Sequence, residues 1–232
     1  ATYVGGVPDL SPAVLALIWR AEAQGVWAVQ GGMHGLARAL ASLATAKGAV
    51  LHYGVAARRI ESQHGRVTGV ALSDGRVLKC DAVVFNGDPA ALVAGLLGNG
   101  AQRALPATAT NPRSLSAWVW SFAARPTGPD LALHNVFFAG DPAAEFGPIA
   151  KGQMPEDATL YICAQDRQTD TRPATAERFQ IIMNAPAKTT QDAGEPQKCR
   201  IRTFHRLNQF GLTFDPPPQD PTPQDLESQH LA

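Results

Sequence analysis

The chain has 232 residues, 45% hydrophobic and 17% charged, with 20 basic side chains balancing 20 acidic ones. That length and apolar content support one large packed domain or two small ones and exclude disorder throughout. A formal net charge of zero gives no electrostatic case for binding nucleic acid or an anionic membrane surface.

Three widely spaced cysteines (Cys80, Cys163 and Cys199) form no CxxC pair, which fits a reducing, cytoplasmic setting without a disulfide scaffold. No histidine or cysteine stands at ligand spacing from another, so no metal site is expected. No run reaches the roughly 18 apolar residues of a membrane span, and no basic segment leads into an apolar core at the start. The opening ATYVGG, without Met, reads as cut from something longer. The expectation is a soluble chain that at most rests on a membrane.

In chain order, residues 3–9 form a Gly/Pro-rich lead-in. Ser11 and Pro12 start a helix as N-cap and first helical residue, with Val14, Leu15, Leu17, Ile18 and Trp19 making it broadly apolar and Gly25 closing it. A short extended piece is expected over 26–29. A second helix follows Gly31-Gly32, its stripe running through Met33, Leu36, Ala37, Leu40, Leu43 and Ala44 to Lys47-Gly48.

The apolar period then changes from 3.6 to 2. Strands are predicted over 49–53, 55–61, 67–72 and 77–80, with turns at Gln63-His64-Gly65 and Ser73-Asp74-Gly75. The apolar run Ala82-Val83-Val84-Phe85 reads as a buried parallel strand. Asp88 and Pro89 then cap a helix over 90–97.

Residues 99–112 read as a Pro/Ala/Thr loop. Strands are predicted over 114–124, 133–139, 158–164 and 178–184, with a short helix over 141–151, and together they suggest a separate antiparallel sheet. Residues 185–197 read as a polar, mobile loop. An amphipathic helix over 198–210 carries Ile201, Phe204, Leu207 and Phe210, and a Pro-rich, extended or flexible tail covers 215–232.

No catalytic constellation is present: GxSxG, HExxH, GxxxxGK[ST] and GxGxxG are all missing, so no catalytic residue is assigned. On the aromatic strand, Trp118 and Trp120 share one face and Val119 and Ser121 the other. Trp118, Trp120, Phe122, Phe137 and Phe138 admit two readings, ordinary sheet core or the lining of an apolar tunnel. Trp19 and Trp27 admit the same pair.

The order GG, then L and AL, then GA, then V-x-x-RI, GRV-x-GV-x-L-x-DGR, D-x-VV and N-x-DP, spread over residues 31–89, resembles the central region of the phytoene-desaturase family of FAD-dependent carotenoid oxidoreductases. His134-Asn135-Val136-Phe137-Phe138 and Ile162-Cys163-Ala164-Gln165-Asp166-Arg167 sharpen the likeness toward its hydroxycarotenoid 3,4-desaturase (methoxyneurosporene dehydrogenase) subgroup. The resemblance covers residue 3 to about residue 216.

It implies an α+β/α/β architecture: part of a two-dinucleotide-binding-type FAD domain over 31–98, and an antiparallel-sheet-and-helix substrate domain over 1–30 and 99–214. It implies FAD as cofactor, with the backbone of Val55 against the adenine edge and Asn86, Gly87 and Asp88 near the cofactor crevice. It also implies a carotenoid substrate, dehydrogenated at a C–C single bond, and peripheral membrane contact for which the 12–20 helix is the candidate. A phytoene-type desaturase, another amine-oxidase-like flavoenzyme and an inert fragment binding an apolar ligand stand as alternatives. Oligomeric state is left open.

Overall fold

The computed structural model describes residues 12–30, 32–110, 113–167, 175–187 and 195–217. They divide into two units. Residues up to 36 and from 114 onward make one, and residues 37–113 make the other. The lead-in, the Ser11 cap, Gly31 and the tail beyond residue 217 lie outside the described residues.

Helix α1 spans Pro12–Ala23, with Pro at its first position where the missing N–H costs nothing, and it stops before Gly25. Gly25 has φ +102°, a backbone state that side-chained residues rarely adopt. The piece over 26–29 joins no sheet. Helix α2 spans Gly32–Ala46 as its spacing predicts. Its stripe is not buried: Met33, Leu36, Leu40 and Leu43 are all exposed, with no partner layer among the described residues.

In the 37–113 unit, strands β1 (Ala57–Gln63), β2 (Arg66–Leu72) and β3 (Val77–Lys79) form an antiparallel meander. His64 and Gly65 make the β1–β2 turn with φ of 49° and 77°, the left-handed pair that a two-residue hairpin requires. Two register shifts bulge β1, one after Ala57 and one after Glu61.

Two expected strands are absent. Residues 49–53 form none, and the predicted strand over 55–61 starts only at Ala57. Residues 82–85 form no strand and pair with none, with Val83 and Phe85 half-buried and Val84 96% exposed. A parallel strand exists only through its neighbours' ladder, and no other parallel strand occurs among the described residues.

Helix α3 (Pro89–Val93) opens on Asp88, whose Oδ1 accepts the Ala90 N–H at 2.9 Å. It is shorter than predicted because the chain turns at Gly95, φ +75°. The predicted 99–112 loop holds a one-turn helix, α4 (Asn99–Gln102), and a 3-10 turn over Ala107–Thr110. Leu92, Leu97 and Ala101 form this unit's small core, with Ile60, Phe85 and Leu105 against it.

The other unit is built on a five-stranded antiparallel sheet in the order β5-β6-β7-β4-β8. Its strands are β4 (Ser116–Thr127), β5 (His134–Phe137), β6 (Leu160–Ala164), β7 (Glu177–Ala185) and β8 (Thr213–Asp215). Helix α5 (Pro142–Ala150) is capped by Asp141 as predicted, Oδ1 accepting the Ala143 N–H at 2.9 Å. The fifth strand, β8, falls in part within the predicted tail; it pairs Thr213–Asp215 with Thr127–Arg125.

Helix α6 (Glu195–Gln209) begins three residues before the predicted start. Its buried stripe is Cys199, Thr203 and Leu207, at steps of four. The predicted stripe shares Leu207 with it, and Phe204 packs against the core, but its steps of three slip about 60° backward each time and carry its ends, Ile201 and Phe210, out to solvent. Ile201, on that path, is 59% exposed.

Candidate functional site

Val55 lies just before β1 and is half-buried. Its neighbour Ala56 is held by Ser73, donating its N–H to Ser73 Oγ at 3.0 Å and accepting the Ser73 N–H at 2.8 Å. The N–H and C=O of Val55 itself make no hydrogen bond among the described residues. Val55 thus presents a backbone donor and acceptor side by side, next to a residue held by two hydrogen bonds.

Asn86, Gly87 and Asp88 give a different picture. Asp88 is already engaged: Oδ1 caps α3 and Oδ2 accepts Arg113 Nη2 at 2.6 Å. The Arg113 guanidinium first, and the Ala90 N–H second, hold the Asp88 carboxyl below the usual carboxylate range. A Cβ on Gly87 would stand 2.5 Å from Phe85 Cζ, so local packing of the Phe85 ring explains this glycine without a ligand. Asn86 is exposed.

The five-stranded sheet has two unlike faces. Along β4, Trp118, Trp120, Phe122 and Ala124 point one way and Val119, Ser121 and Ala123 the other, because strand side chains alternate. The register joins the first set to Phe179, Ile181 and Met183 of β7 and to Leu160 and Ile162 of β6. This face is the core. Phe122 meets Phe179, Phe204 and Phe214 at ring-centroid distances of 5.7, 5.8 and 5.0 Å.

The aromatic positions therefore resolve unequally. Trp120 is buried in this core, and Trp118, Phe122 and Phe137 pack against it. The cavity beside Leu160, Met183 and Thr203 is about 10 Å³, room for a single water and far short of a polyene. Phe138 lies outside the core, exposed, its carbonyl accepting Arg206 Nη2 at 2.5 Å. Trp19 and Trp27 are also exposed.

The opposite face carries Val136, Tyr161, Ile182 and Val119 in one register row, and His134, Cys163, Gln180 and Ser121 in the next. Val119 and Val136 are 44% and 49% exposed. His134 Nδ1 lies 2.7 Å from the Tyr161 hydroxyl, and the two rings stack with centroids 6.0 Å apart. Helix α5 holds one end of this face, where buried Glu145 accepts Asn184 Nδ2 at 2.9 Å and Thr159 Oγ1 at 2.7 Å. Counting aromatics leads to the covered face; strand parity was the signal that points to this one.

The Gln165-Asp166-Arg167 segment is a fastener. Arg167 grips Glu177 with Nε at 2.5 Å and Nη2 at 2.9 Å, and donates Nη1 to the Leu131 carbonyl at 2.5 Å. Asp166 pairs with Arg178, whose guanidinium holds the Asp166 carboxyl below its ordinary range. Among the described residues no group of three His, Cys, Asp or Glu side chains could hold a metal ion.

A family model for flavin containing amine oxidoreductases matches residues 16–230. The hydroxyneurosporene desaturase of Cereibacter sphaeroides is 63% identical over 218 residues, covering 94% of this chain and 44% of that protein. The hydroxyneurosporene desaturase of Rhodobacter capsulatus is 55% identical over 219 residues, with the same two coverages of 94% and 44%. A 4,4'-diaponeurosporene oxygenase of Staphylococcus aureus is 29% identical over 219 residues, covering 91% of this chain and 44% of the relative. The chain thus spans less than half the length of the curated relatives it matches. With a family match running through both units, the chain belongs to the flavin containing amine oxidoreductases.

Proposed function

We propose that this chain is part of an FAD-dependent carotenoid desaturase, which removes two hydrogens from a C–C single bond of an acyclic hydroxy- or methoxycarotenoid. The observation that carries the reading is the 63% identity to a hydroxyneurosporene desaturase across 94% of the chain. When bound, the flavin supplies the hydride acceptor. The chain's own contribution is positioning: an unactivated hydrocarbon offers nothing for acid–base side chains to grip, so orientation and exclusion of water carry the catalysis.

In this reading residues 37–113 are part of a two-dinucleotide-binding-type flavin domain, and Val55 supplies its free backbone donor and acceptor to the adenine. Asn86–Asp88 then serve that domain indirectly, with Asp88 fixing α3 through its cap and the Arg113 pair. The sheet unit is the substrate domain. We further propose contact with the cytoplasmic surface of a membrane through Leu17, Trp19, Val26 and Trp27, all exposed and suited to an interfacial belt. No helix among the described residues is long and apolar enough to cross one.

Flavin titration tests the cofactor half of this reading. The complete protein takes up one FAD, and Val55→Pro, which deletes the N–H, weakens that uptake at least about fivefold. This chain alone takes up little, because it provides one edge of the site. Unchanged FAD affinity in the Val55→Pro protein refutes the role given to Val55, and a complete protein that binds no FAD refutes the function.

A further inference from the structure

The function proposed above makes this chain part of a longer protein, and one helix marks where the remainder attaches. We propose that the apolar face of α2 docks against the part of the complete flavin domain that lies outside residues 1–232. This role rests on the proposed desaturase and adds to it a surface through which its portions hold together.

At helical spacing Met33, Leu36, Leu40 and Leu43 fill one arc about 120° wide, with Ala37 and Ala44 between and beside them. The four large side chains are 38–71% exposed, and no residue of α2 is buried. His34, Arg38, Ser42 and Thr45 stand on the opposite side, so the helix is amphipathic with one formal charge, Arg38. A helix of this length owes most of its stability to burying its apolar face. A bare stripe of four large side chains is therefore a surface that lacks its cover.

Charge argues against a lipid surface as that cover. An interfacial helix carries a polar face rich in Lys and Arg, and α2 has Arg38 alone there. Core size argues against a second copy. In the 37–113 unit the buried apolar residues are Leu92, Leu97 and Ala101 among the described residues, whereas the core of the sheet unit holds fourteen. Val50, Leu51, Tyr53, Val77, Val84 and Leu96 of the smaller core's unit are exposed as well, in loops, a strand and a turn. An isologous contact covers one patch on each copy, and these residues spread over more elements than one patch holds. Additional chain is what such a unit lacks. The relatives have that length: this chain covers 44% of each of two hydroxyneurosporene desaturases, so more than half of each lies outside the match.

The test is thiol accessibility in the complete protein. Leu40→Cys, Leu43→Cys and Arg38→Cys are made singly and treated with a maleimide, natively and in urea. Peptide mass spectrometry reads labelling at the introduced site apart from Cys80, Cys163 and Cys199. The Leu40→Cys and Leu43→Cys sites label at least about a hundredfold more slowly in the native protein than in urea, because the reagent reaches them only on opening. The Arg38→Cys site, on the polar side, labels within about fivefold of its rate in urea.

Native labelling of the Leu40→Cys and Leu43→Cys sites at close to the urea rate overturns the docking. Equal protection of the Arg38→Cys site overturns the choice of face. Protection lost on dilution assigns the cover to a second copy, and protection that needs added phospholipid vesicles assigns it to a lipid surface; either result overturns the occupant proposed. FAD uptake by the same preparations keeps the two readings apart. An exposed stripe in a protein that binds FAD overturns the docking alone, whereas a wild type that binds no FAD overturns the desaturase reading.

Discussion

Arg167→Ala is the perturbation whose cost the structure fixes most closely. The guanidinium is 8% exposed and its carboxylate partner Glu177 is 7% exposed, joined by two parallel hydrogen bonds. Truncating the arginine leaves Glu177 charged, buried and unpaired, and leaves the Leu131 carbonyl without its donor. Breaking a buried pair in this way costs about 3–5 kcal/mol. The weak, long contact to Asp130, which is 76% exposed, adds little.

Urea unfolding followed by emission of Trp118 and Trp120, in the same sheet, reads this cost. At roughly 2–3 kcal/mol/M the midpoint falls by about 1–2.5 M. Arg167→Lys keeps the charge but loses the fork and recovers only part of the loss. The double variant Arg167→Met with Glu177→Leu removes both charges and returns to within about 1 kcal/mol of wild type. A loss below about 1 kcal/mol for Arg167→Ala refutes the reasoning, as does a double variant that costs the sum of the singles.

Three further outcomes follow from the same geometry. Leu207 is fully buried under the sheet, so Leu207→Ala costs about 2–5 kcal/mol in the same unfolding assay, whereas Ile201→Ala on the outer face costs little. Burial first, then Glu195, pushes the Cys199 thiol up to about 12, so at pH 8 its thiolate fraction drops about a thousandfold. A thiol reagent therefore modifies Cys80 and Cys163 in the native protein and Cys199 only on unfolding. The lowered Asp88 pKa gives stability above the ordinary carboxylate range that is lost as pH falls through the folded value. The stability gap between wild type and Asp88→Asn therefore narrows on acidification, read by urea midpoints at neutral and acid pH.

Local chemistry made much of the fold legible. The Asp88-Pro89 and Asp141-Pro142 caps, the His64-Gly65 hairpin and the alternating β4 and β7 all stand where spacing places them. What failed depended on neighbours. The Val83-Val84-Phe85 run reads the same whether or not a partner strand lies beside it, and here none does among the described residues. Helix α6 misled because its buried stripe is made of Cys199, Thr203 and Leu207, two of them weakly apolar, while larger residues such as Ile201 stand outside. β8 is three residues long, too short for any periodicity.

The site was legible in part for the same reason. A backbone role such as that of Val55 leaves no mark on residue type and entered only through family likeness. The aromatic content of β4 drew attention to the right strand, and only the position of α6 shows which of its faces is filled.

Product analysis of the complete protein, reconstituted with FAD and given an acyclic monohydroxy carotenoid, tests the central claim most directly. The account predicts a product two hydrogens lighter, with one more conjugated double bond and red-shifted absorption, formed only when FAD is present. Desaturation of phytoene with none of the hydroxylated substrate would contradict it, as would conversion that proceeds equally without flavin.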